Sequence, residues 1–362
     1  MTIEQPKPER SMRSMAAAAS LPHHHTEPTW RRHGSCPPGT VAIRRDSPFA
    51  NPEAARRRAS PFRRPAAATN TTAGSDDSLY FPEDMDNPKG KVEKEFNYTL
   101  AAAYACNAAY LGARATVPYW KVDVAHPDEF SMSYLLIGYP LEDRFMPFPG
   151  RTPPSTIANQ IAVGLVAWPS LYGDSLLRLF VYYTNDGGVH NNCFNLDCGG
   201  FHLSPSPFAL GDSWSNSDSQ IGGERYGVPL GIHRDPAGEN WWVTVMDHPI
   251  GYYPPTVFDT RFPESFYVEM GGRVLDTRTG GNHTATPMGS GMPVCAGSRF
   301  AATVMDYHAV NYNGVLANDK ADRTVTTTPG CYDARPIGSN PQRGGYYVAF
   351  GGPGGIYCDR PD

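Results

Sequence analysis

From about Asn97 onward the chain alternates apolar and polar positions in short runs, cut by clusters of Gly, Pro and Asn. That texture predicts many antiparallel strands and no long helix. Between Glu129 and Gly138 the side chains of Phe130, Met132, Tyr134 and Leu136 share one face of a half-buried strand. Leu177, Leu179, Val181 and Tyr183 do the same ahead of the turn Asn185-Asp186-Gly187-Gly188. Val228 to Trp242 reads as a hairpin about Asp235-Pro236-Ala237-Gly238, in which proline fixes one φ and glycine frees another. Trp241, Val243 and Val245 then continue one strand face. Turn signals roughly every ten residues predict an all-β fold, an antiparallel two-sheet β sandwich rather than an α/β protein.

Residues 1–90 look different. They are rich in Pro, Ala, Arg and Ser, lack an apolar period, and end in a polar stretch from Thr69 to Asp77. They are expected to be a disordered basic segment, with the β sandwich filling residues 91–360. Hydrophobic residues make up 40% of the 362 and charged residues 19%, enough apolar surface for one large core.

The net charge of -5 hides an asymmetry: 12 of the 31 Lys and Arg but 5 of the 36 Asp and Glu fall within residues 1–66. The remainder holds 19 and 31, an acidic body that argues against a nucleic-acid or anionic-membrane partner. The run Arg56, Arg57, Arg58, Arg63, Arg64 is read as a solvated stretch, with a processing site as the sharper alternative. No run of 18 apolar residues is present, so no spanning segment is predicted, and no apolar signal-peptide core is visible at Met1.

Seven cysteines, Cys36, Cys106, Cys193, Cys198, Cys295, Cys331 and Cys358, include no CxxC pair and no zinc spacing with His. Disulfides are expected, with buried thiols the bland alternative; no metal and no cofactor is expected. Asn70, Asn97 and Asn282 each open an N-x-Ser/Thr sequon; Asn97 and Asn282, within the folded part, are the candidate glycosylation sites. Together these features point to a secreted or extracellular protein.

Three stretches, taken in order, resemble the neprosin-like family of plant proteins. The first is Ser170-Leu171-Tyr172-Gly173-Asp174 with Arg178-Leu179-Phe180 and Thr184-Asn185-Asp186. The second is the loop Cys193-Phe194-Asn195-Leu196-Asp197-Cys198-Gly199-Gly200-Phe201, which departs from the family in having Asn192 where glycine is common. The third is His283-Thr284-Ala285-Thr286-Pro287-Met288-Gly289-Ser290-Gly291, followed by Cys331-Tyr332-Asp333 and Phe350-Gly351-Gly352-Pro353-Gly354 with Cys358. Ser35 to Arg45 resembles the end of the family's activation peptide. The resemblance implies a β sandwich with a cleft on one sheet, and disulfides Cys193–Cys198 and Cys331–Cys358. Cys106 and Cys295 are then available to pair, leaving Cys36.

The family's characterised members are glutamic peptidases that cut next to proline, a reaction needing two carboxyls with separated pKa values. In the family the first glutamate precedes a small residue and a glycine, and Ala162 stands there in Ile161-Ala162-Val163-Gly164-Leu165. The second follows paired glycines, and Arg273 follows Gly271-Gly272. Neither a methyl group nor a permanent guanidinium handles a proton. Glu269 shares a strand face with Gly271 and Arg273 but lies roughly 13 Å from the latter unless a bulge intervenes. The expectation is therefore a catalytically impaired member that binds proline-rich polypeptides. The alternative is an active acid-optimum endopeptidase using Glu269 with a carboxylate such as Asp174 or Asp186, and a structural wall protein is a third reading.

Other chemistry finds little support. Gly289-Ser290-Gly291 is not a nucleophile elbow, and His233 with Asp235 or His248 with Asp247 lacks ligand spacing. Trp168, Trp214, Trp241 and Trp242 are candidates for a proline-binding groove, although core packing is the commoner fate of such residues.

Overall fold

The computed structural model describes residues 97–140 and most of 157–355, together with Thr40, Phe62 and Cys358. The expected disorder of the N-terminal segment, the activation-peptide likeness at 35–45, Cys36, Asn70 and Cys198 fall outside the described residues.

In chain order the first strands are β1 (Asn97–Ala105), β2 (Gly112–Pro118), β3 (Phe130–Pro140), β4 (Ile157–Ala167), β5 (Arg178–Thr184) and β6 (Asn192–Phe194). There follow β7 (His202–Leu203), β8 (Gly227–Arg234), β9 (Trp241–Val245), β10 (His248–Tyr253) and β11 (Tyr267–Asp276). The last are β12 (Ala302–Val310), β13 (Leu316–Ala317), β14 (Arg323–Thr326), β15 (Asp333–Asn340) and β16 (Gly344–Gly351). One sheet runs β14-β1-β11-β3-β4-β5-β6 and the other β15-β16-β12-β2-β8-β9-β10-β7, with β13 on β12. All strand pairs are antiparallel. This is the two-sheet sandwich that the alternation predicts.

Period-two alternation sorts each central strand into two apolar sets. Val268, Met270 and Val274 of β11, Leu135 and Ile137 of β3, and Ile161, Val163 and Leu165 of β4 meet the second sheet in the main core. Tyr267, Leu275, Met132, Tyr134, Leu136, Ala162 and Val166 belong to a separate cluster on the opposite face. β3 and β4 are buried at every position. The half-buried strand expected over Glu129 to Gly138 is thus a correction: its second face is also covered, which single-strand alternation cannot reveal. The hairpin of β8 and β9 forms as expected, and Trp214 and Trp241 pack in the main core.

A buried carboxylate ties this sheet to the loop that follows β11. Glu129, fully buried just before β3, accepts hydrogen bonds from the hydroxyls of Thr284 at 2.5 Å and Thr286 at 2.6 Å. It also accepts from the Thr277 amide at 3.2 Å and hydroxyl at 3.0 Å. Burial pushes its pKa up, but the hydrogen bonds of Thr284, Thr286 and Thr277 outweigh it and leave the carboxyl below its usual value.

Cys331 and Cys358 are disulfide-bonded, as the family resemblance implies, and Cys193 is also disulfide-bonded. Cys106 and Cys295 do not pair, which corrects that expectation: Cys106 is buried at the end of β1 and receives a hydrogen bond from Arg323, while Cys295 is exposed. Of the two sequons in the folded part, Asn282 is exposed and Asn97 opens β1.

Because the folded-state pKa of Glu129 is depressed, its stabilisation is fully present above the unfolded value of about 4.3 and is lost as pH falls through the lower folded value. Glu129→Gln is expected to lower stability by about 1–3 kcal/mol at neutral pH and to flatten the acid limb of the unfolding profile, measured by urea denaturation across pH. Gly271 has a separate constraint. A Cβ there would lie 2.3 Å from the Ala101 carbonyl oxygen and 2.5 Å from Ala102 Cα, so Gly271→Ala should loosen the β1–β11 pairing by about 1–3 kcal/mol in the same assay.

Candidate active site

The outer face of the seven-stranded sheet gathers the residues singled out from the sequence. β11 pairs with both neighbours without a register shift through Gly271 and Gly272, so no bulge moves Glu269 toward Arg273. The two remain four residues apart on one strand face, and their side chains reach each other. Arg273 Nη2 lies 3.2 Å from Glu269 Oε1, with both side chains almost wholly buried.

Pairing across the sheet places Glu269 opposite Leu136, Leu136 opposite Ala162, and Ala162 opposite Tyr182. Glu269 and Ala162 therefore stand in one row, one strand apart. Arg273 belongs to another row, with Met132, Val166 and Arg178. This level placement of Glu269 with Ala162 is not legible from the chain alone, because it depends on the register of β3 between them.

Tyr134 lies between the rows. Its neighbours across the sheet are Gly271 on β11 and Gly164 on β4. A Cβ at Gly164 would come within 2.3 Å of the Ser133 carbonyl oxygen and 2.8 Å of the Phe180 ring. The glycines thus allow close approach beside a large aromatic residue. The Tyr134 hydroxyl donates to Glu269 Oε1 at 2.5 Å and accepts from Arg273 Nε at 3.2 Å. Tyr267, two residues before Glu269, donates to Oε2 at 2.6 Å, and its ring stacks on Tyr104 at 5.4 Å.

Every polar group of this network faces a complementary one. Glu269 acts only as an acceptor, the arrangement that suits an ionised carboxylate. Burial lowers the pKa of Arg273, but Tyr134 and Glu269 reverse that and raise it above its ordinary value, so the guanidinium stays charged. Burial also pushes the Tyr134 phenol well above its usual pKa, against the pull of Arg273. The result is a buried ion pair bridged by the Tyr134 phenol, with the Tyr267 phenol as a further donor to the carboxylate.

Ala162 is completely buried and offers a methyl group. Among the described residues the other buried acids are Glu129, Asp212 and Asp276. Asp212 accepts from the Ala209 amide, and Asp276 from the amides of Arg278 and Thr284. The proposed substitutes are engaged elsewhere too. Asp174 binds Arg178, with Nε at 3.1 Å from Oδ1, while Asp186 accepts from the amides of Gly188, Val189, His190 and Asn191.

These contacts give the sequence motifs a scaffold role. Arg178, held by Asp174, lies over the Tyr172 ring at 5.4 Å and donates to the Gly211 carbonyl at 2.7 Å. Asn195, in the cysteine-bracketed loop, exchanges backbone and side-chain hydrogen bonds with Val181 and donates to the Tyr172 hydroxyl at 3.0 Å. Ser290 Oγ accepts from the Met292 amide. His233 is buried, and burial pushes its pKa down to about 4 against the opposing charge of Asp235. Asp247 pairs with Arg114 at 2.7 Å.

Of the four tryptophans considered for a groove, Trp168 alone packs on the outer-face cluster, 5.0 Å from Phe130 and 5.7 Å from Phe194. A residue that no sequence pattern marked completes this surface. Phe62, only 1% exposed, lies across Tyr134 and Tyr182. Its ring faces Arg273 as well, at 5.0 Å from the guanidinium carbon.

Among solved structures, the chain is similar to the crystal structure of Scytalido-glutamic peptidase with a peptide-based transition-state analogue. The identity is 9% and the TM-score 0.33, over 71% of this chain and 98% of that one. A likeness so slight carries no argument about fold or chemistry. The family model described as Neprosin is different in kind, because it matches residues 129–353, a span that runs from the carboxylate clamp through the Glu269 row to the C-terminal glycines. With more than half of its length matched, the chain belongs to the Neprosin family.

Proposed function

We propose that this Neprosin-family protein binds proline-containing polypeptides along the outer face of its seven-stranded sheet and does not cleave them. One observation carries the reading: the carboxylate of Glu269 shares its row with the methyl group of Ala162 and is bound by Arg273, Tyr134 and Tyr267. Hydrolysis by paired acids needs one carboxylate to take a proton from water and a second carboxyl to donate one. Glu269 accepts three hydrogen bonds, two on Oε1 and one on Oε2, and Ala162 supplies neither acid nor base. Trp168, half-buried beside Phe130 and Phe194, offers a flat indole face of the kind that suits proline rings. The Cys331–Cys358 disulfide fits an extracellular setting.

The competing reading, an acid-optimum endopeptidase using Glu269 with Asp174 or Asp186, is disfavoured by the Arg178 and backbone partners of those aspartates. The natural protein is expected to release no product from proline-containing peptides at any acid pH. The double revertant Ala162→Glu, Arg273→Glu should gain cleavage. Detectable turnover by the natural protein, abolished by Glu269→Gln, would establish the endopeptidase instead.

The ion pair itself makes a separate prediction. Arg273→Met leaves Glu269 buried without its cation and should cost about 3–5 kcal/mol of unfolding free energy. The double variant Arg273→Met, Glu269→Leu should recover part of that loss. Equilibrium denaturation of the single and double variants provides the check.

A further inference from the structure

Phe62 is separated in sequence from the sandwich, preceding β1 at Asn97, yet its side chain is buried as deeply as core residues. Its ring meets Tyr134 edge to face, with centroids 5.0 Å apart at an interplanar angle of 83°. It lies 4.7 Å from the Tyr182 ring and 6.3 Å from Phe180. Arg273 completes the enclosure as a cation 5.0 Å from the ring centroid. These four residues come from β3, β5 and β11, so the sheet supplies walls for the ring.

We infer that this enclosure is an aromatic subsite for a polypeptide ligand, occupied in cis by Phe62. The inference rests on the peptide-binding reading above and adds a ligand class: an aromatic residue that directly follows proline, with basic residues after it. Edge-to-face packing against Tyr134 and a guanidinium near the ring both select a π system over an aliphatic side chain of similar size. The occupant has the sequence Ser60-Pro61-Phe62-Arg63-Arg64-Pro65, in which proline precedes the ring and two arginines follow. Beyond residue 66 the chain carries 31 acidic against 19 basic residues, so a basic peptide approaches a surface of opposite net charge.

Ala162 fits the same picture. Its position lies beside Tyr182 across the β4–β5 pair, and Tyr182 packs on Phe62. A glutamate there would place a second charge next to an aromatic wall that now contains only a methyl group. The cation that replaces an acid at Arg273 is itself one wall of the subsite. Arg273 thus meets the ring directly, and Ala162 adjoins another wall at Tyr182.

The test uses the full chain and a fluorescein-labelled, end-blocked peptide of residues Ser60 to Pro65, followed by anisotropy, with the peptide bearing Phe62→Ala as control. Phe62→Ala in the protein should open the subsite and bind the phenylalanine peptide at least roughly tenfold more tightly than the alanine peptide. The natural protein, with the site filled, and Phe62→Tyr, which keeps a ring in place, should bind the phenylalanine peptide more weakly than Phe62→Ala does. If Phe62→Ala fails to fold, Phe62→Leu takes its place in the same titration. Equal binding of the two peptides, or binding of neither, by the opened protein overturns the aromatic subsite while leaving the absence of hydrolysis untouched. Cleavage of the bound peptide has the opposite meaning, because it overturns the non-hydrolytic reading and leaves the subsite standing.

Discussion

An ion pair with almost no exposure to water sets the terms for the outer face of the seven-stranded sheet. Arg273 and Glu269 are far costlier to bury singly than together, and even together they require their remaining donors and acceptors to be matched. Tyr134 meets that requirement by bridging both, and Tyr267 supplies a further donor. The bridge in turn depends on Gly164 and Gly271, which flank Tyr134 where a side chain would collide with the backbone of the adjoining strand. Phe62 covers the cation. Charge compensation, strand spacing and the presence of a distant aromatic ring are thereby linked in one arrangement.

The chemistry of the face follows from the same pair. Glu269 accepts from two phenols and a guanidinium, whereas acid catalysis asks a group to exchange protons with water. Ala162, in the same row, offers only a methyl group. The scaffold around them is intact: Asp174 holds Arg178 over Tyr172, Asn195 caps the edge of β5, and Glu129 gathers the threonines of the loop after β11. The motifs that carry the family likeness are thus concentrated in contacts that shape the sheet.

The strands were legible because alternation is a local property, and Phe130, Met132, Tyr134 and Leu136 do share a face. Burial of both faces of β3 was not, since what covers the second face comes from remote parts of the chain, Phe62 among them. Glu269 and Arg273 could be put on one strand face from spacing alone, but the row joining Glu269 to Ala162 passes through Leu136 and depends on two long-range registers. Phe62 carried no signal, because an isolated aromatic residue in a Pro- and Arg-rich stretch has no period to place it. Cys106 and Cys295 illustrate the limit of counting: two cysteines left over after pairing the others need not lie near each other.

A crystal structure of the natural full-length protein, grown at acid pH and refined to a resolution that shows ordered water, bears most directly on whether this face retains proton chemistry. Glu269 should accept from Tyr134, Tyr267 and Arg273, with the Ala162 methyl on its row and Phe62 over the guanidinium. A water molecule held between Glu269 and a second carboxyl group, with Arg273 turned away, would contradict it.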